Sequence, residues 1–167
     1  MPINDSPNLE LIRIETPAEA NLILGHAHFI KTAEDLYETV VNSVPQAKFG
    51  VAFSEASGPR LIRSEGNDEA LTRAAERELL KLACGHTFLL FIRQAFPINV
   101  LRDVRACVEV AAIYCATANP VTAVVARAGE QGALLGVMDG SGPLAVEDAG
   151  QAAARRSFIR TIGYKLP

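Results

Sequence analysis

Apolar positions along this chain alternate between two spacings, and the alternation predicts the elements. In DEALTRAAERELLKLA the residues Leu71, Ala75, Leu79 and Leu82 recur every three or four positions while the charges fall between them, which predicts an amphipathic helix over Asp68 to Ala83. The same reasoning, with caps and breakers, predicts helices over Thr32 to Ser43, Ile98 to Ala106 and Glu147 to Ile162. Short apolar runs bounded by turn residues predict strands near Leu9 to Ile14, Ala20 to Leu24, Phe49 to Ser54, Leu61 to Ser64, Thr87 to Ile92, Val108 to Cys115, Val121 to Arg127 and Ala133 to Asp139. TFLLFI and VTAVVA are apolar enough for central strands, and AVVARAGEQGALLGV reads as a hairpin turning at Ala128 to Gly132. The expected fold class is therefore α/β: a single compact domain, a mixed β-sheet packed with about four helices. The hairpin argues against a wholly parallel sheet. With no linker or repeat in the chain, residues 1–8 are expected to form a flexible N-terminus and residues 9–167 one domain.

Composition narrows the function classes. A chain of 167 residues with 49% hydrophobic and 21% charged residues can bury a sizeable core, and a net charge of −3 argues against a generic binder of nucleic acid or anionic membranes. No apolar run reaches membrane-span length, and MPINDSPN lacks the basic start and apolar core of a signal peptide, so a cytoplasmic location is expected. Cys84, Cys107 and Cys115 form no C-x-x-C pair and have mostly apolar neighbours, which predicts reduced, packed thiols.

The densest candidate chemistry lies in Asn21 to Thr32, where an apolar strand, a break at Gly25, His26, His28, Lys31 and Thr32 lead into a helix. Thr32 is the expected N-cap, with Glu34 and Asp35 in the first turn. Gly25, Lys31 and Thr32 match the spacing of a phosphate loop, but Ile30 stands where its second glycine belongs. What remains is Lys31 and the helix N-terminus touching a phosphate along one edge, or a solvated lysine in an ordinary connection. Gly85 is the expected C-cap of the helix ending near Ala83, which puts His86 at the entry to the strand Thr87 to Ile92. Other polar groups also gather at element ends: Ser54, Glu55 and Ser57; Glu65, Asn67 and Asp68; Asn99; Thr117 and Asn119; Asp139. Each reads alone as an ordinary cap or turn, and together as the makings of a ligand site at strand ends.

The segments LGHAHFIKTAEDLYETVVNSVPQAKFGVAFSEASGPRLIRSEGND, CGHTFLLFIRQAFPINVL, IYCATANPV and LGVMDGSGP, with the ending FIRTIGYKLP, closely resemble the adenosine-specific kinase family of archaea and bacteria. The resemblance runs from about Leu9 to the C-terminus. It implies a single α/β domain forming homo-oligomers, trimers or hexamers among the forms, that binds adenosine, AMP or ATP and carries a stable phosphohistidine. His86 is the first choice for that histidine, His28 the second, and His26 the last, since relatives are expected to have glutamine there. Phosphoryl transfer through an imidazole needs positioning and charge neutralisation, roles open to Lys31, with Glu55 or Asp139 to take a proton or fix a tautomer. Asn67, Asn99 and Asn119 offer amides for an adenine edge or ribose diol, and Gly25, Thr32 and Ser57 complete the expected nucleotide contacts. ATP is the candidate donor, with Mg2+ on Asp139 or Glu55. The alternatives are a non-catalytic adenosine-nucleotide sensor, a metallohydrolase ligated by His26, His28 and His86, and a structural subunit with packed histidines.

Overall fold

The computed structural model describes residues 6–167, so residues 1–5 of the expected flexible start lie outside it. Eight strands and four helices follow the order β1 (Asn8–Ile14), β2 (Asn21–Ala27), α1 (Thr32–Ser43), β3 (Lys48–Ser54), β4 (Ile62–Gly66), α2 (Glu69–Leu82), β5 (Thr87–Arg93), α3 (Pro97–Ala106), β6 (Val110–Thr117), β7 (Val121–Ala128), β8 (Gln131–Asp139) and α4 (Ala149–Thr161). The α/β class and the four helices are as expected. The strands divide between two sheets, β4-β3-β5-β2-β6 and β1-β7-β8, and every pairing is antiparallel. The two apolar runs singled out by sequence, in β5 and β7, are the central strands of the two sheets.

Alternation along the strands explains the layering. Ile23, Val51, Phe53, Phe88, Leu90 and Ile92 point to one face of the five-stranded sheet and are covered by α1 and α3. Leu22, Leu24, Ala52, Leu89 and Phe91 point to the other, where α2 and the inner face of the three-stranded sheet, through Val121, Ala123 and Val125, close a second core. Both faces of β5 are buried, which is why its sequence is continuously apolar.

Four local expectations are corrected. Gly25 does not break the strand: β2 runs on through His26 to Ala27, and a Cβ at Gly25 would stand 2.3 Å from the Phe88 ring and 2.7 Å from the Ala112 carbonyl oxygen. The glycine is there for a close packing contact. Thr32 is the first helical residue, buried, with its hydroxyl donating back to the Phe29 carbonyl at 2.6 Å, and Lys31 holds the cap position without a side-chain cap. The left-handed residue ending α2 is Ala83, at φ 46°, rather than Gly85. The β7–β8 hairpin needs only two loop residues, with Gly129 at φ 57°.

Beyond Gly140 the chain leaves both sheets. Residues 141–167 contain α4, which starts at a reciprocal Asp148–Gln151 capping box, and none of its residues is buried. No helix among the described residues is long and apolar enough to cross a membrane.

Candidate functional site

His26 and His86 come together where β2, β3 and β5 end side by side. His86 lies just before β5, and its backbone closes a bridge: its N–H donates to the Ser54 carbonyl at 2.8 Å and its carbonyl accepts from the Ala27 N–H at 2.9 Å. Both bonds hold the residue in the left-handed region, at φ 58°, which a non-glycine residue adopts only when its surroundings fix it. The ring stacks on Phe53, with centroids 6.0 Å apart, and meets His26 edge-on at 5.9 Å. His86 remains half-exposed. Burial, then the neighbouring His86 and His28, push the pKa of His26 down and favour its neutral form. His28 is exposed, anchored by its N–H to the Glu109 carbonyl.

Beside this bridge a cavity of about 1120 Å³ opens between the C-terminal end of α2, the Glu55–Leu61 loop and the β7–β8 hairpin. That is somewhat above the roughly 300 to 1,000 Å³ typical of small-molecule pockets. Ser54, Glu55, Arg60, Cys84, Arg127 and Gly132 line it, and the lining reaches Gly85, one residue short of His86. The Ser54 hydroxyl is buried without a hydrogen-bond partner among the described residues. Arg127 spans the wall: its guanidinium donates to the carbonyls of Leu82 at 2.8 Å and Ala83 at 3.1 Å and pairs with Glu10 at 3.0 Å. Glu55 accepts from the Leu61 amide at 2.9 Å and pairs with Arg63, and these contacts, the amide first, hold its carboxyl below the usual range. Burial pushes the Cys84 thiol up, so it stays protonated.

Lys31 is not free for a phosphate. Its ammonium is held by Asp35 on the next turn of α1 and by the buried carboxylate of Glu109, and these contacts raise its pKa. Gly25 and Thr32 are buried and offer a ligand no group. Ser57 is exposed in the loop beside the cavity.

The remaining expected residues stand at the other end of the sheet. Asn67 accepts from the Phe49 N–H and donates to the Ala47 carbonyl, both at 2.9 Å; Asn99 accepts from the Phe96 N–H at 2.9 Å as a cap of α3; Asn119 donates to Asp139 at 3.1 Å. Register puts them there: His26 pairs with Thr87, whereas Asn21 pairs with Ile92 and Lys48 with Arg93. A seven-residue strand separates the two ends by about 20 Å. The structure thus brings His26, His86, Ser54 and Glu55 together and leaves Asn67, Asn99, Asn119 and Asp139 apart from them.

Magnesium on Asp139 or Glu55 does not fit this arrangement, since Asp139 is at the far end and Glu55 is committed to Arg63 and Leu61. Among the described residues no three His, Cys, Asp or Glu side chains gather as metal ligands, the three histidines included. Sequence reasoning missed Arg127, Glu109 and Ser54's unpartnered hydroxyl. The available signal for Arg127 was its register: an arginine two residues after Val125 in an alternating strand faces inward, where a charge needs partners.

No curated protein sequence matches the chain. Among solved structures it is similar to the PH1918 protein from Pyrococcus horikoshii OT3, with 37% identity and a TM-score of 0.92 over 97% of this chain and 100% of that one. The family model described as adenosine specific kinase matches residues 12–165, nearly the whole folded region including both sheets and α4, and the chain belongs to the adenosine-specific kinase family.

Proposed function

We propose that this protein is an adenosine-specific phosphotransferase, with adenosine or AMP in the cavity between the sheets and His86 as the phosphoryl carrier. The observation that supports it best is a half-exposed imidazole, fixed by two backbone bonds and a Phe53 stack, that directly follows Gly85 in the lining of a cavity large enough to hold a nucleoside. In the first step an imidazole nitrogen of His86 attacks the terminal phosphorus of ATP; a P–N bond forms and the bond to the departing ADP oxygen breaks. In the second the adenosine 5′-hydroxyl attacks that phosphorus; a P–O bond forms, the P–N bond breaks, and the imidazole recovers its electron pair. The hydroxyl proton passes to His26, whose lowered pKa keeps it neutral and able to accept. Magnesium would enter with ATP as part of the substrate. The homo-oligomer and the cytoplasmic setting belong to the same proposal.

One observation favours a sensor that binds nucleotide without turnover: among the described residues no uncommitted carboxylate stands beside His86 to serve as base. Intact-mass measurement after incubation with ATP, magnesium and adenosine, with AMP quantified in the same tube, separates the readings. The expected result is one acid-labile phosphoryl group and many turnovers in wild type and His28→Ala, and neither in His86→Ala. Full phosphorylation and turnover in His86→Ala overturns the assignment; bound nucleotide with no turnover in wild type makes the sensor the function.

A further inference from the structure

We infer that Arg60 recognises phosphate at the mouth of the cavity, giving up Glu130 for the phosphate of a nucleoside monophosphate, an assignment that rests on the phosphotransferase reading and names the group with which the same cavity selects its ligand. Among the described residues, Arg60 and Arg127 are the basic side chains of the lining. Arg127 is spent on the Leu82 and Ala83 carbonyls and on Glu10. Arg60 has one side-chain partner among the described residues, Glu130 at 3.1 Å, and the two side chains are 59% and 84% exposed. An ion pair that open to water is screened and contributes little, so its cation is available to a better acceptor.

The backbone under Arg60 supports the same role. Its φ is 53°, in the left-handed region where glycine is at ease and a Cβ is crowded. The turn is closed around it: the Arg60 N–H donates to the Ser57 carbonyl at 3.4 Å, the Leu61 N–H to the Glu55 carboxylate at 2.9 Å, and the Glu55 N–H to the Leu61 carbonyl at 3.0 Å. Local physics asks for glycine here, as it does at Gly58 with φ 64°. The chain instead keeps an arginine whose one side-chain contact is a screened pair. A strained residue that returns so little stability points to binding.

Arg60 comes from the Glu55–Leu61 loop and Glu130 from the turn between β7 and β8, so the pair bridges two walls of the cavity on its solvent side. A phosphate competes well for the guanidinium. It carries roughly two negative charges near neutral pH where Glu130 carries one, and its oxygens match the guanidinium fork. Glu130, already surrounded by water, returns to solvent. The same loop lies against the residue before His86: a Cβ on Gly85 would stand 2.8 Å from the Ala56 Cβ. A phosphate held by Arg60 is thus held by a loop that packs beside the phosphoryl carrier.

The test is calorimetric titration of the full-length protein with adenosine and, separately, with AMP, without ATP so that no phosphoryl group moves. Wild type is expected to bind AMP more tightly than adenosine. In Arg60→Gly the AMP affinity should fall by about tenfold, the effect of one charge-assisted contact, with adenosine affinity unchanged. The melting temperature of that variant should stay within about 4 °C of wild type, because glycine relieves the backbone while only a screened pair is lost. Glu130→Gln removes the competitor, so it should raise AMP affinity by about two- to fivefold and leave adenosine affinity alone. This second variant keeps the assignment open to test where Arg60→Gly fails to fold. Unchanged AMP affinity in Arg60→Gly, equal losses for adenosine and AMP, or weaker AMP binding in Glu130→Gln overturns the role of Arg60 and leaves a nucleoside-binding wild type intact. A wild type that binds neither ligand overturns the nucleoside reading and the Arg60 assignment with it.

Discussion

Replacing Arg127 by methionine isolates the clamp that joins the three-stranded sheet to the end of α2 beside the cavity. Methionine keeps an apolar stem and removes the fork that donates to the Leu82 and Ala83 carbonyls at the end of α2. Those are charge-assisted bonds to orphan carbonyls at the negative end of a helix. Each contributes roughly 1.5 to 3 kcal/mol, and because the Arg127 side chain is 23% exposed, water can reach the vacated carbonyls, which favours the low end. The Glu10 pair is partly exposed on both sides and adds no more than about 1 kcal/mol. The expected loss is therefore about 3 kcal/mol. With a urea slope near 2 to 3 kcal/mol per molar, the unfolding midpoint should fall by about 1 M. Arg127→Lys, a point charge able to serve one carbonyl well, should lose about half as much. The assay is urea unfolding followed by circular dichroism at matched chain concentration, since any assembly adds to apparent stability. A drop below about 0.5 kcal/mol, or a lysine variant as stable as wild type, would refute the clamp and make Arg127 a group held ready for an anion.

Two further outcomes follow from the site geometry. Asn67→Ala removes both side-chain bonds that tie the start of β3 to the corner before α2, so it should destabilise by roughly 1 to 3 kcal/mol in a thermal melt, with AMP affinity by calorimetry unchanged per folded molecule; weakened binding at unchanged stability would return Asn67 to the site. His26 has its pKa lowered on folding, so the unfolded chain binds its proton more readily. Its contribution is intact above pH 6.5 and declines as pH falls from there toward the lower folded value. The melting temperature of wild type should accordingly drop more steeply below pH 6.5 than that of His26→Gln, and equal slopes would show that His26 is not the titrating group.

Element type was legible in the sequence because local periodicity carries it: the α2 stripe, the doubly buried run in β5 and the glycine turn of the hairpin are short-range signals. Strand order was not legible, because pairing β1 with β7 joins residues more than a hundred positions apart and nothing in either strand names its partner. Gly25 shows a subtler limit. A glycine between a strand-like run and a helix reads as a break, and only the Phe88 ring lying against its Cα reveals a packing reason instead. Thr32 misled for a similar reason, since capping propensity does not reveal that the chain enters α1 through helical backbone at Lys31. The His86 site was half legible: the motif singled out the residue, whereas its neighbours Phe53 and His26 come from other strands.

The polar turns that carry the family likeness divide into two groups with different work. SEGND, FPINV, CATANP and MDGSGP lie at the end of the sheet away from His86, where Asn67, Asn99 and Asn119 give their hydrogen bonds to backbone or to Asp139. A nucleoside against His86 is about 20 Å from all of them in its own chain. Their chemistry is accounted for by folding: each caps a helix, closes a turn or pins a strand. The GHTF and SEASGP turns instead leave groups uncommitted, an exposed imidazole edge and the unpartnered Ser54 hydroxyl beside a cavity. Unsatisfied groups held in place by satisfied ones are what a binding site requires. The nucleoside site proposed above therefore draws on the His86 end of the sheet, and the polar turns at the other end fit the architecture that holds it there.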